Sequence, residues 1–323
     1  MRPTGALHLG HYHGALKNWV RLQQDHDCFF VVADWHALTT EDNRGAQLEQ
    51  RVYDMVVDWL AAGVDPDRAT LFIQSRLPEH AELFALLAMD TPQTWLERTP
   101  AYKERLRQLG PSESASYGFL GYPLLQAADI LIYRAGLVPV GEDQAPHVEL
   151  TREVARRFNH VYGRGQPVLT EPQLLLTDTA RLSGLDGDKM SKSAGNAIAM
   201  RDAPEAVTDK IRRMPTDPQR VRRDDAGEPA RCPVWPLHQR YTDDDTRAGL
   251  ADGCRSAGIG CLDCKQPLIE AIVREQQPWH ERARAVLANP KQVHWLMEMG
   301  TERARTVARQ TMKDVRQAMG LVY

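Results

Sequence analysis

Two histidines, His8 and His11, stand three residues apart behind a Pro3-Thr4-Gly5 turn, with Gly10 between them. If a helix starts here, the two imidazoles share a face. The free N–H groups of its first turn and its dipole then favour an anionic ligand. Gly10 lets the backbone come close to that ligand. The plainer alternative is a solvated, histidine-rich surface turn, since His13 continues the series. About 180 residues downstream, Asp188-Lys189-Met190-Ser191-Lys192-Ser193 puts two lysines and two hydroxyls on a polar loop. Lysine is a flexible point charge, suited to a polyphosphate tail. Each stretch alone passes for ordinary surface. Together, in this order, they describe a phosphate-handling site.

Such a site needs a scaffold. Residues 28–33 form a short apolar run that ends in Asp34-Trp35-His36, the pattern of a buried strand with polar groups at its C-terminal end. Helical periodicity follows over 46–62, with Gly63 as its stop, and a second strand is expected at 70–74. Strand, helix, strand in that order indicates a parallel α/β sheet, in which ligands bind beyond the C-terminal strand ends. Residues 78–135 read as helical, punctuated by Pro78, Pro92, Pro100, Pro111 and Pro123. A third strand is expected at 137–140 and a helix over about 146–160, so the middle block looks like an insertion in a nucleotide-binding sheet.

The chain has 323 residues, of which 42% are hydrophobic and 26% charged, a globular composition with room for two domains. No apolar run reaches the roughly 18 residues of a membrane span, and no leader pattern opens the chain, which places it in the cytoplasm. The net charge of −3 gives no global sign of a nucleic-acid partner, although a local basic face is enough for one.

The stretch at residues 3–11 and the one at 188–193 resemble the HIGH and KMSKS signatures of class I aminoacyl-tRNA synthetases. The resemblance implies a Rossmann-like parallel sheet with a helical insertion, followed by a mostly α-helical C-terminal domain. It further implies that His8, His11, Lys189 and Lys192 are catalytic. In that family they stabilise the transition state as an amino-acid carboxylate attacks the α-phosphate of ATP, without a protein nucleophile. Residues 122–133 and 141–153 closely resemble the tryptophanyl-tRNA synthetases, and the likeness runs through residues 1–200. By that likeness Asp129 accepts the indole N–H, a sensible match because indole only donates and a buried carboxylate is a strong acceptor. Tyr122, Gln144, His36 and Gln126 match the remaining tryptophan-binding positions. Gln126 departs from the methionine that many bacterial relatives carry. Arg2, Pro3, Thr4, Gly10, His11, Gly141, Glu142, Asp143, Leu182, Lys189, Met190, Ser191, Lys192 and Ser193 match ATP contacts. ATP then enters as its Mg²⁺ complex, and the partners are L-tryptophan, ATP and tRNA(Trp), with a homodimer expected. The rival readings are a tyrosyl-tRNA synthetase, whose family typically has GSDQ where this chain has Gly141-Glu142-Asp143-Gln144, and a non-catalytic RNA-binding paralogue.

Of the five cysteines, Cys28 lies in the expected first strand and reads as an inert core thiol. The others follow the spacing C-x21-C-x6-C-x2-C at Cys232, Cys254, Cys261 and Cys264. Four thiolates converging from a loop-rich segment suit either a [4Fe–4S] cluster or zinc. Some bacterial members of the resembled family carry a [4Fe–4S] cluster with similar spacing, which ranks the cluster first, zinc second and a metal-free patch third. Basic residues at Lys210, Arg212, Arg213, Arg220, Arg222 and Arg223, and again along the last helix, are solvated charges or contacts to tRNA phosphates. The expected division is therefore a catalytic domain at 1–200, with its insertion at about 76–135, and an anticodon-binding domain at 201–323 that carries the cysteine patch at 232–264.

The N-terminus raises a further expectation. In this fold the loop at 1–5 follows a strand lying between those at 28–33 and 137–140, yet only Met1 stands before Arg2. The reading is that the chain starts at an internal methionine and lacks that strand. Its two neighbours should then sit about twice the usual 4.8 Å apart or collapse together, with residues 1–5 poorly anchored.

Overall fold

A computed structural model describes residues 1–39, 47–108, 115–176 and 182–322. Pro111 and Ala46, which belong to expected elements, lie outside the described residues. The chain opens with α1 (Leu9–His11), a π-helical turn at Tyr12–Leu16 and α2 (Lys17–Leu22), and these run on without a break. Next come β1 (Cys28–Val32), α3 (Asp34–Ala37), α4 (Leu48–Ala62) and β2 (Ala69–Ile73). Gly63 ends α4 at φ +106°, a left-handed conformation that costs glycine nothing and most residues about 1–2 kcal/mol.

β1 and β2 pair in parallel, with Cys28 opposite Ala69 and Val32 opposite Ile73. The helical insertion follows as α5 (Pro78–Ala88), α6 (Gln93–Glu97), α7 (Pro100–Gln108) and α8 (Tyr117–Leu131). β3 (Leu137–Val140), α9 (Ala145–Tyr162) and β4 (Gln173–Leu176) complete the sheet region, and β3 pairs in parallel with β4. The three strands expected at 28–33, 70–74 and 137–140 are present, and β4 is an addition to them.

β1 and β3 form no pair with each other. Their facing edges, including Phe29, Val31, Val138 and Val140, line one cavity of about 910 Å³. Of the two outcomes expected for these strands, separation or collapse, the collapse does not occur. Residues 1–5 were expected to be poorly anchored, and they are held instead. The Met1 amine donates to the Val31 carbonyl (2.5 Å), and Ala33 N–H donates to the Met1 carbonyl (2.9 Å).

The C-terminal half is helical: α10 (Pro204–Arg213), α11 (Trp235–Tyr241), α12 (Asp244–Arg255), α13 (Cys261–Leu287) and α14 (Pro290–Met319). α13 packs along α4, and α14 crosses β2 and α5. A Cβ at Gly300 would fall 1.8 Å from the Leu71 carbonyl oxygen, so only glycine lets α14 lie against the strand. One core runs from Leu7, Leu9 and Trp59 through Ile198 and Ile211 to Ile272 and Trp279. It joins both phosphate-handling stretches to the same packed interior.

Candidate active site

The two stretches meet. Leu9 N–H donates to the Ile198 carbonyl (3.0 Å) and Met200 N–H to the Leu7 carbonyl (2.8 Å), which makes an antiparallel bridge between His8 and Ala199. Asp58, fully buried on α4, secures both sides. Its carboxylate accepts the Leu7 N–H (2.6 Å) and the Arg201 guanidinium (2.5 Å). Nothing in the sequence singled out this acid.

On this base the His8 and His11 rings lie 3.8 Å apart between centroids, and His11 Nδ1 accepts the His8 backbone N–H (3.2 Å). His8 Nδ1 is buried without a hydrogen-bond partner, so a ligand in the cleft could satisfy it. Gly10 also has a second role: a Cβ there would come to 3.0 Å from the His8 ring, so glycine makes room for the histidine.

Lys192 reaches across from the second stretch, its Nζ donating to the Thr4 carbonyl (3.0 Å). Lys189 and Ser193 are exposed, whereas Met190 and Leu182 are buried and joined by a hydrogen bond from Met190 N–H to the Leu182 carbonyl (3.0 Å). Asn196 organises the loop. It is 3% exposed, accepts the Ser191 N–H (2.7 Å) and donates to Asp186 (2.7 Å) and to the Lys189 carbonyl (3.2 Å). Ser191 and Ser193 hydroxyls lie 3.2 Å apart. The candidate phosphate groups therefore form one cleft.

The residues matched to tryptophan also converge. His36, Tyr122, Gln126, Asp129 and Gln144 all line the large cavity, together with Arg2. Gln144 sits in the turn Glu142–Gln144 after β3, where Gly141 precedes it and Glu142 and Asp143 are exposed. It donates to Asp143 (3.1 Å) and contacts His147 (3.2 Å), which in turn contacts the Tyr122 hydroxyl (3.3 Å). Pro3 is buried. Asp129 is the centre of a denser network, with His36 Nε2 at 2.8 Å, Gln74 Nε2 at 2.8 and 2.9 Å and His80 Nδ1 at 2.6 Å. Burial alone would raise its pKa, but the hydrogen bonds from His36 and His80 outweigh it and hold the carboxyl well below the usual range. Gln74 and His80 were not anticipated.

The four spaced cysteines form a separate group. Cys264 is pushed up to about 12, first by burial and then by charge on Cys232, Cys254 and Cys261. Charge on the other thiols raises Cys232 and Cys254 in the same way, after burial. The four thiols are thus near enough to repel as thiolates. Among the described residues, no three His, Cys, Asp or Glu side chains are close enough together to hold a single metal ion. Arg220, expected in the basic face, is buried instead and binds the Arg223 and Ile259 carbonyls (2.8 and 2.7 Å).

A family model for class I tRNA synthetases (W and Y) matches residues 1–275. The chain belongs to that family. The tryptophan–tRNA ligase of Ralstonia nicotianae is 52% identical over 390 residues, covering 100% of this chain and 98% of that protein. The ligase of Thermotoga maritima is 47% identical, again covering 100% and 98%. Among solved structures, tryptophanyl-tRNA synthetase from Campylobacter jejuni, complexed with ADP and tryptophan, superposes with a TM-score of 0.86 at 30% identity. That match covers 99% of this chain and 98% of the other. Within this family the chain is a ligase of Rossmann-like α/β fold with a helical C-terminal region. None of its helices, among the described residues, is long and apolar enough to cross a membrane.

Burial, then the neighbouring Lys192 charge, pushes His8 down to about 4. Burial, then His8 and Lys192, pushes His11 down to about 3. Both rings are therefore neutral in the folded protein near pH 7, donors rather than cations. An unfolded histidine takes its proton near 6.5, so between pH 6.5 and about 4 the unfolded chain binds more protons. The stability these groups contribute is present in full above 6.5 and is lost as pH falls toward 4. Urea unfolding at several pH values should give His8→Gln a shallower loss of stability than the parent across that window. Parallel curves would contradict a buried neutral His8.

Proposed function

We propose that the chain is a tryptophan–tRNA ligase that converts L-tryptophan and ATP, as its Mg²⁺ complex, into tryptophanyl-adenylate and pyrophosphate. It then passes the tryptophanyl group to tRNA(Trp). The observation that carries this reading is the Asp129 carboxylate, ringed by donors and lining a cavity that it shares with Met1 and Arg2 of the first stretch. An ionised, buried carboxylate can only accept, and the indole N–H can only donate. Tyr122, Gln126, His36 and Gln144 supply the other walls, and Gln144 and Tyr122 offer polar atoms to the amino-acid end.

In the first step a tryptophan carboxylate oxygen bonds to the α-phosphorus of ATP. The bond from that phosphorus to the bridging oxygen breaks, and pyrophosphate leaves with the electron pair. His8 and His11 act as neutral N–H donors to the phosphate oxygens, while Lys189 and Lys192 follow the charge that grows on the leaving pyrophosphate. Backbone groups near Thr4, Gly10, Leu182 and Met190, with Arg2, Pro3, Ser191, Ser193 and the turn Gly141 to Asp143, hold the nucleotide. In the second step the 2′- or 3′-hydroxyl of tRNA attacks the acyl carbon, and AMP leaves.

On this reading residues 1–200 perform the chemistry in the cytoplasm and residues 201–323 receive the anticodon end of tRNA. Arg212, Arg213, Arg222 and Arg223, all exposed, support that assignment. Exposed Met89 and Tyr117 on the insertion support a homodimer, and a monomeric mass in solution would remove that part. Cys232, Cys254, Cys261 and Cys264 are proposed to hold a [4Fe–4S] cluster on the strength of their spacing in the sequence. Such a cluster would supply one-electron chemistry or a rigid covalent tie. Anaerobically purified protein should hold about four irons per chain, and stoichiometric zinc without iron would overturn this assignment.

Amino-acid-dependent ATP–pyrophosphate exchange tests the activity. Across the twenty amino acids, tryptophan alone should support it. Asp129→Ala should lose about 1–3 kcal/mol or more of tryptophan activation. Lys192→Ala should slow adenylation by roughly a hundredfold while changing the KM for tryptophan little. Exchange driven by tyrosine, or none at all, would overturn the proposal.

A further inference from the structure

Asp129, in the last turn of α8, and Tyr133, in the turn just beyond it, are four residues apart. His80, from the first turns of α5, sits between them and touches both. Its Nδ1 lies 2.6 Å from Asp129 Oδ1 and its Nε2 lies 2.6 Å from the Tyr133 hydroxyl. The side chain of His80 is fully buried, and neither His80 nor Gln74 lines the cavity.

The chemistry of the three groups fixes the protons. An ionised carboxylate has no proton to give, so His80 Nδ1 must carry one and donate it. In the neutral ring Nε2 is then an acceptor, and the Tyr133 O–H donates to it. Burial first, then the charges of Asp129 and Glu79, raises the Tyr133 pKa, which keeps that O–H protonated. Tyr133 cannot turn away, because its ring stacks on Phe29 (4.7 Å between centroids, 21° between planes) and packs against Phe72 (5.1 Å). Gln74, fully buried at the end of β2, gives its amide N–H to both carboxylate oxygens while its own Oε1 has no partner. Orienting Asp129 therefore leaves a buried acceptor unsatisfied, a cost expected where the orientation serves a function.

These donors divide the carboxylate into two sides. Oδ1 takes His80 and Gln74, both from behind the cavity wall. Oδ2 takes Gln74 and His36, and His36 is itself part of the wall.

We propose that His80, its tautomer fixed by Tyr133, is a positioning residue for side-chain selection, clamping Asp129 from behind so that Oδ2 alone faces the cavity. A ligand N–H is then recognised at Oδ2, where it shares or displaces the His36 contact. This rests on the reading of Asp129 as the acceptor for the indole N–H. His80 does not touch the substrate and acts only through Asp129.

The test compares pyrophosphate exchange with tryptophan and with the analogue in which sulfur replaces the indole nitrogen, an isostere that lacks the N–H. The readout is the ratio of the two kcat/KM values. His80→Leu should lower this ratio at least tenfold, through a higher KM for tryptophan more than through a lower kcat. His80→Asn, which keeps a donor near Nδ1, should hold the ratio within about threefold of the parent. Tyr133→Phe preserves the ring packing and should lower the ratio at least threefold, so it carries the test if His80→Leu fails to fold. Asp129→Ala separates the two ideas. If it destroys the discrimination while His80→Leu and Tyr133→Phe leave it intact, the positioning role is overturned and the Asp129 reading stands. If Asp129→Ala also leaves the ratio unchanged, the reading of Asp129 itself is overturned.

Discussion

The antiparallel bridge between His8 and Ala199 is the constraint on which the site depends. It joins two segments about 190 residues apart in the chain through two backbone hydrogen bonds. Neither segment is a long regular element, so neither could hold catalytic geometry alone. The bridge is locked from below by Asp58, which accepts from Leu7 on one side and Arg201 on the other. Burial raises the Asp58 pKa, and Arg201 opposes that rise. Breaking such a buried pair by removing one partner typically costs about 3–5 kcal/mol, because the remaining charge stays desolvated. With bridge and acid in place, Lys192 falls over Thr4 and the two histidine rings lie close together, tilted by 45°.

The electrostatics of this cleft follow from its burial. His8 and His11 stay neutral in the folded protein because both are desolvated beside a lysine. The cleft thus combines neutral donors with lysine charge, an arrangement that neutralises a polyphosphate without the repulsion of four clustered cations. The neighbouring cavity follows the opposite scheme. There the Asp129 carboxylate is kept ionised by donated hydrogen bonds, so on the proposed function one site takes anionic oxygen and the other a donor N–H. Adenylation needs the two side by side.

Much of this was legible in the sequence, because short motifs report local geometry. Pro3-Thr4-Gly5 with His8-Leu9-Gly10-His11, and Lys189 to Ser193, revealed the cleft. The apolar runs at 28–33, 70–74 and 137–140 revealed three of the four strands among the described residues. β4, with the sequence Gln173-Leu-Leu-Leu176, escaped notice because four residues between loops show no period and gain strand character only by pairing with β3. Asp58, Gln74 and His80 escaped for a related reason. Each lies in an unremarkable helical or turn context, and its meaning comes from a partner 51, 55 or 49 residues away. The cysteine spacing likewise pointed to a common centre. The crowding of Gly10 by His8 was not legible, because it depends on where the ring of a residue two positions earlier is turned.

If the bridge makes the two motifs one device, residues on its two sides must act as a unit. A double-mutant cycle on His11→Asn and Lys192→Ala, read by single-turnover formation of the adenylate, measures this most directly. The account predicts strong non-additivity, with the double variant losing little more rate than the worse of the two single variants. Losses that simply multiply would mean that the two motifs act independently, and would contradict it.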